Sequence, residues 1–182
     1  MTGKSRTGYP MCKDTSFSVT KTINLRGRIL DFSIPRVMGI LNLTPDSFYD
    51  GGKYRSDDDI LRQAEHLIRQ GADIIDVGGY SSRPGAPVVS PEEEEKRLRK
   101  GLKVIRSAFP DFPVSVDTFR SSVAEMAVRE FDVDMVNDIS AGEQDPAMFD
   151  TIAGLNVVYI MMHMQGTCLL YTSDAADELD GV

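Results

Sequence analysis

Two spacings of apolar residues alternate along this chain. Short runs rich in Ile, Val, Leu and Met recur at Arg36–Leu43, Asp73–Val77, Val114–Val116, Met135–Asn137 and Val157–Met162. Between them apolar residues return every three or four positions, as in Ile60, Leu61, Ala64, Leu67 and Ile68. The first pattern is that of strands buried on both faces, and the second that of amphipathic helices. Helix starts are marked. Ser56 precedes Asp57-Asp58-Asp59, and Ser90 precedes Pro91 with Glu93 three residues on. Gly71 marks a helix stop after Gln70. A third helix is expected from about Phe119 to Glu130, and a shorter fourth from Asp145-Pro146. The run Glu92–Glu95 reads as a solvated first turn favoured by the helix dipole.

Strand then helix, repeated four times and ending on a fifth strand, predicts a parallel sheet with helical crossovers. Ahead of it, Thr22–Leu25 and Ile29–Phe32 flank Arg26-Gly27-Arg28, which predicts a β-hairpin. An open doubly wound sheet and a closed barrel share this pattern. Polar residues stand at the C-terminal end of every strand rather than at one switch point, which favours a (β/α)8 TIM barrel.

Composition limits the class. The chain has 182 residues, 41% of them hydrophobic and 26% charged, as in soluble globular domains. A net charge of −8 gives no support to a nucleic-acid or anionic-membrane partner. No run reaches the ~18 apolar residues of a membrane span. Cys12 and Cys168 have no metal-like spacing and make no disulfide framework, so a reducing, cytoplasmic setting is expected. Residues 1–21 read as a mobile leader without a signal-peptide core.

The strand ends carry the candidate chemistry. After the first barrel strand, Asn42 offers a neutral oxygen suited to Mg²⁺ that keeps waters and phosphate oxygens as its other ligands, or equally a turn cap. Phe48 and Tyr49 follow in a glycine-flanked loop. After the second, Gly78-Gly79 permits close backbone approach, and Ser82-Arg83-Pro84 pairs a hydroxyl with a bidentate guanidinium suited to phosphate or carboxylate. After the third, Asp117 ends an apolar strand. It can accept two parallel N–H bonds from a heterocycle, with Thr118 left to cap the next helix. After the fourth, Asn137 carries a donor and an acceptor, while Asp138 reads as a loop acid. After the fifth, Met162 can lie against a ring.

Five blocks in order, MGILNLTPDSFYDGG, DIIDVGGYSSRPGA, VSVDTF, VNDIS and MMHMQGT, resemble successive blocks of the dihydropteroate synthase family over about residues 22–167. The resemblance implies a (β/α)8 barrel that condenses a dihydropterin pyrophosphate with p-aminobenzoate. It implies Mg²⁺ on Asn42, with Ser82, Arg83 and Asp117 as the catalytic set. Asp117 and Asn137 would hold the pterin edge, Ile139 and Met162 its faces, and Phe48 and Pro84 the p-aminobenzoate pocket. It also implies a full-length homodimer.

A complete barrel of this kind runs to about 250 residues. This chain stops the pattern after about five strands and lacks the later family blocks, so taken alone it is expected to be inactive. Residues 168–182 do not continue the family, and CLLYTSDAADE resembles the conceptual translation of a sequencing adapter. Two further readings stay open: a methyltetrahydrofolate–corrinoid methyltransferase-like barrel, and a non-catalytic pterin-binding protein.

Overall fold

A computed structural model describes residues 21–44, 56–80 and 88–162. The hairpin forms as β1 (Thr22–Leu25) and β2 (Arg28–Asp31), paired antiparallel. Its turn places Arg26 and Gly27 at positive φ, with the Gly27 N–H donating to Asn24 Oδ1 at 2.6 Å.

Five parallel strands follow in sequence order: β3 (Met38–Asn42), β4 (Ile74–Gly78), β5 (Val114–Asp117), β6 (Met135–Asp138) and β7 (Val158–Met161). Four helices cross between them: α1 (Asp57–Arg69), α2 (Pro91–Ala108), α3 (Ser121–Phe131) and α4 (Met148–Leu155). Both predicted caps hold. The Ser56 hydroxyl accepts from Asp59 N–H while Asp59 accepts from Ser56 N–H, and Ser90 accepts from Glu93 N–H. Gly71, at φ +96°, ends the α1 turn as expected.

Two starts differ from expectation. Thr118 does not cap α3, because the helix begins two residues later than expected, at Ser121; the Thr118 hydroxyl accepts from Arg120 N–H at 3.2 Å and donates to Glu94 Oε1 at 2.7 Å. Asp145 supplies that cap instead, accepting from Ser121 N–H at 2.7 Å. The Asp145 carboxylate is thus committed to α3 and to Ala147 N–H, and α4 begins only at Met148.

The register sorts the strand residues into two faces. Leu41, Val77, Val116 and Val136 stand side by side and pack with Leu98, Leu102, Ile105, Val123 and Ala127 of the helices. This is the outer face and the main core. Gly101 of α2 marks how close the layers come, since a Cβ there would clash with Leu43 Cδ1.

The alternate residues form the inner face. Its lower part, Ile74 and Met135 with Met38, Val158 and Ile160, is covered by Leu25, Ile23 and Leu30 of the hairpin. Arg28 fastens that hairpin to the buried Asp134 at 2.9 Å, and Arg106 holds the other oxygen of the same carboxylate at 2.8 Å. The hairpin thus covers the lower part of the inner face, and among the described strand residues of that face Ile40, at the β3 edge, is the exposed apolar one, 62% accessible. The upper part is polar.

Candidate functional site

Parallel pairing sets Asn42, Gly78, Asp117, Asn137 and Ile160 in one row across the C-terminal ends of the strands. Two residues lower, Ile40, Asp76, Ser115, Met135 and Val158 form the next row of the same face. Three of the five predicted site residues that lie among the described residues therefore meet in one row. Ile139 follows Asn137 one further step along and is half-buried. Met162 stands at the rim beyond β7, 44% accessible, with its N–H donating to Asp138 O at 3.0 Å. Phe48, Ser82, Arg83 and Pro84 lie outside the described residues.

Gly78 opens the centre of the row. A Cβ placed there would fall 2.9 Å from Asn42 Oδ1 and 3.4 Å from Asp117 Oδ2. These two oxygens converge over one backbone position that only a residue without a side chain leaves clear.

Below them lies a layer of buried polar groups. Asn137 Nδ2 donates to Asp76 Oδ2 at 3.0 Å. Asp76 Oδ1, Ser115 Oγ and Asn137 Oδ1 are buried without a hydrogen-bond partner among the described residues. Ser115 stands in register beside Asp76 but outside hydrogen-bonding geometry. Buried polar atoms are normally paired, and leaving one unmade costs about 1–3 kcal/mol. Three together mark a face organised for a polar ligand rather than for stability.

The carboxylates here are strained electrostatically. Burial pushes the Asp117 carboxyl up to about 7, and the charges of Asp76, Glu94 and Asp138 add to the shift. Burial also holds Asp76 above the usual carboxylate range, against the pull of the neighbouring Ser115 hydroxyl and of Asn137. A carboxyl poised near neutrality at a strand end is what a site needs to accept N–H donors or exchange a proton.

Asn137 commits one Nδ2 hydrogen to Asp76 and keeps its Oδ1 and a second N–H, so it still carries an acceptor and a donor. Two side chains here differ from their sequence readings. Asp138 is no loose loop acid. Fully buried, it accepts from Ser140 N–H, Ser140 Oγ, Gly142 N–H and Tyr159 OH, and so shapes the β6–α4 loop. The Glu92–Glu95 run is not uniformly solvated, since Glu94 is fully buried under the β5–α3 junction.

Sequence reasoning missed Asp76 and Ser115 as site residues. The available signal was a period of two: Asp76 precedes Gly78, and Ser115 precedes Asp117, by two positions within otherwise apolar strands.

The family model described as "Pterin binding enzyme" matches residues 38–180. The chain belongs to this pterin-binding enzyme family. The five parallel strands are part of a (β/α)8 barrel, the fold of its structural neighbours.

Among curated relatives, a Pneumocystis carinii folic acid synthesis protein is 50% identical over 73% of this chain and 18% of its own length. The dihydropteroate synthase of Staphylococcus haemolyticus is 45% identical over 70% of this chain and 47% of its own. A solved Xanthomonas albilineans dihydropteroate synthase with 4-aminobenzoic acid matches at TM-score 0.72 and 39% identity. It covers 80% of this chain and 52% of that one. The chain therefore spans about half the length of its bacterial relatives, and less of the larger folate-synthesis proteins.

Proposed function

We propose that the natural protein is a dihydropteroate synthase and that this chain carries the first part of its site. One observation carries the reading: Asp117 and the free oxygen of Asn137 stand side by side in the strand-end row, over a floor of unpartnered polar atoms. Two adjacent acceptors suit a ligand edge with adjacent N–H donors, as a pterin presents through its amino group and ring nitrogen. Similarity to proteins named for dihydropteroate and folate synthesis supports the same ligand class.

The reaction joins dihydropterin pyrophosphate to p-aminobenzoate. The amine nitrogen forms a bond to the pterin CH2 carbon, the C–O bond to pyrophosphate breaks, and pyrophosphate leaves with the electron pair. The nitrogen then loses its proton to solvent. An aniline nitrogen is already nucleophilic, so the protein mainly positions its reactants. In this reading Asp117 and Asn137 orient the pterin, with Ile139 and Met162 at its faces. Ser82 and Arg83 hold anionic groups, and Phe48 and Pro84 border p-aminobenzoate.

The residues fit Mg²⁺. Asn42 turns a neutral oxygen over Gly78, and no group of three or more His, Cys, Asp or Glu gathers among the described residues. An ion on Asn42 would take its other ligands from pyrophosphate and water, and would neutralise the leaving group's charge. Among the described residues no helix is long and apolar enough to cross a membrane. The cysteine content supports a cytoplasmic setting, and the full-length form is read as a homodimer.

Turnover by the full-length gene product tests the reading. Dihydropteroate and pyrophosphate should form in equal amounts from the two substrates. Tight binding of the pterin pyrophosphate without dihydropteroate would favour a non-catalytic pterin-binding protein instead.

A further inference from the structure

Glu94 and Arg120 form a buried ion pair outside the ligand row. Glu94 lies in the first turns of α2 with a side chain 0% accessible, and Arg120 sits at the start of α3 with 15%. Burying a carboxylate so completely is costly unless each oxygen is engaged. Both are: Thr118 Oγ1 donates to Oε1 at 2.7 Å, and Arg120 Nη1 donates to Oε2. Burial still raises the Glu94 carboxyl, against the pull of Thr118 and Arg120.

The rest of the Arg120 side chain reaches further than the pair. Its second amino group, Nη2, donates to Val89 O at 2.7 Å. The guanidinium carbon lies 4.8 Å from the Phe119 ring centre and 5.6 Å from that of Tyr80. These two rings meet edge-on at 5.3 Å and 88°. Tyr80 and Val89 stand just before and just after residues 81–87, close to the two ends of that segment. Gly79 is held against the same helix, where a Cβ would meet Glu94 Cγ at 3.1 Å and Arg97 Nη1 donates to its carbonyl at 3.2 Å.

We infer that Arg120, fixed by Glu94, is a positioning residue that ties both flanks of residues 81–87 to the β5–α3 junction bearing Asp117. One planar guanidinium serves three partners: a carboxylate, a carbonyl and an aromatic pair. Lys could replace only the charge. The consequence is that the second and third strand ends are set relative to each other by a contact outside the ligand row. This geometry stands whichever substrate the site takes.

Amide hydrogen exchange on the full-length gene product tests it, comparing the parent with Arg120→Met, Arg120→Lys and the double variant Glu94→Gln/Arg120→Met. The double variant removes both charges together, so Glu94 is not left buried and unpaired, and it serves where the single Met variant fails to fold. Exchange at Tyr80, Val88 and Val89 should rise about tenfold in the double variant, with Arg120→Lys between it and the parent. The hairpin, β3 and α1 should keep the parent's rates. Unchanged exchange at Tyr80, Val88 and Val89 overturns the inference. So does a rise spread evenly over the sheet, which would mark the pair as a general stability element.

Discussion

The two faces of the five-stranded sheet are built from alternate residues of the same strands, yet they obey opposite rules. On the outer face Leu41, Val77, Val116 and Val136 are fully buried and packed against helices. On the inner face Asp76, Ser115 and Asn137 are nearly as buried, but each keeps an unpartnered polar atom. Adjacent residues one bond apart in sequence thus serve different ends. The outer row supplies the hydrophobic burial that holds the fold, and the inner row spends some of that stability on a polar surface.

This contrast can be broken most sharply within β5. Val116→Asp would place an unpaired charge in the core and should cost about 4–5 kcal/mol, abolishing cooperative unfolding. A chemical-denaturation curve of the full-length product checks it.

Asp117, the next residue, should behave in the reverse sense. Its carboxyl is raised to about 7 in the fold. Between an unfolded value near 3.9 and that pH the folded state binds the extra proton, so stability falls as pH rises through this window. Above about 7 the loss is complete. Asp117→Asn removes the titrating group. Melting temperatures measured from pH 4 to 8 should therefore decline less steeply in the variant than in the parent.

The smallest effect belongs to Ser115→Ala. The hydroxyl has no hydrogen bond of good geometry to a described residue, so the change should shift stability by no more than about 1 kcal/mol in either direction. A loss of several kcal/mol would show that the inner face is structurally bonded after all.

Much of this arrangement was legible before the structure. The apolar runs set all five barrel strands to within a residue or two, and Arg26-Gly27 announced the hairpin. Asn42, Asp117 and Asn137 were readable because each ends an apolar run, where a polar side chain needs a reason. Asp76 and Ser115 were not, because a strand buried on both faces hides which face is polar until the register is known. Glu94 was masked by its neighbours: in a run of four glutamates, sequence cannot say which one turns inward. The Thr118 cap failed because α3 starts at Ser121, two residues beyond the expected start, which leaves the Thr118 hydroxyl to Arg120 N–H and Glu94.

The inner-face row is proposed as a pterin-binding wall rather than a set of buried polar residues tolerated by the core. The most direct test is calorimetric titration of the full-length gene product with dihydropterin pyrophosphate and Mg²⁺, for the parent and for Asp117→Asn. Binding should weaken by at least about tenfold in the variant, which corresponds to 1.4 kcal/mol, while its melting temperature at pH 8 holds or rises. Equal affinity for the parent and a folded Asp117→Asn variant would contradict the account.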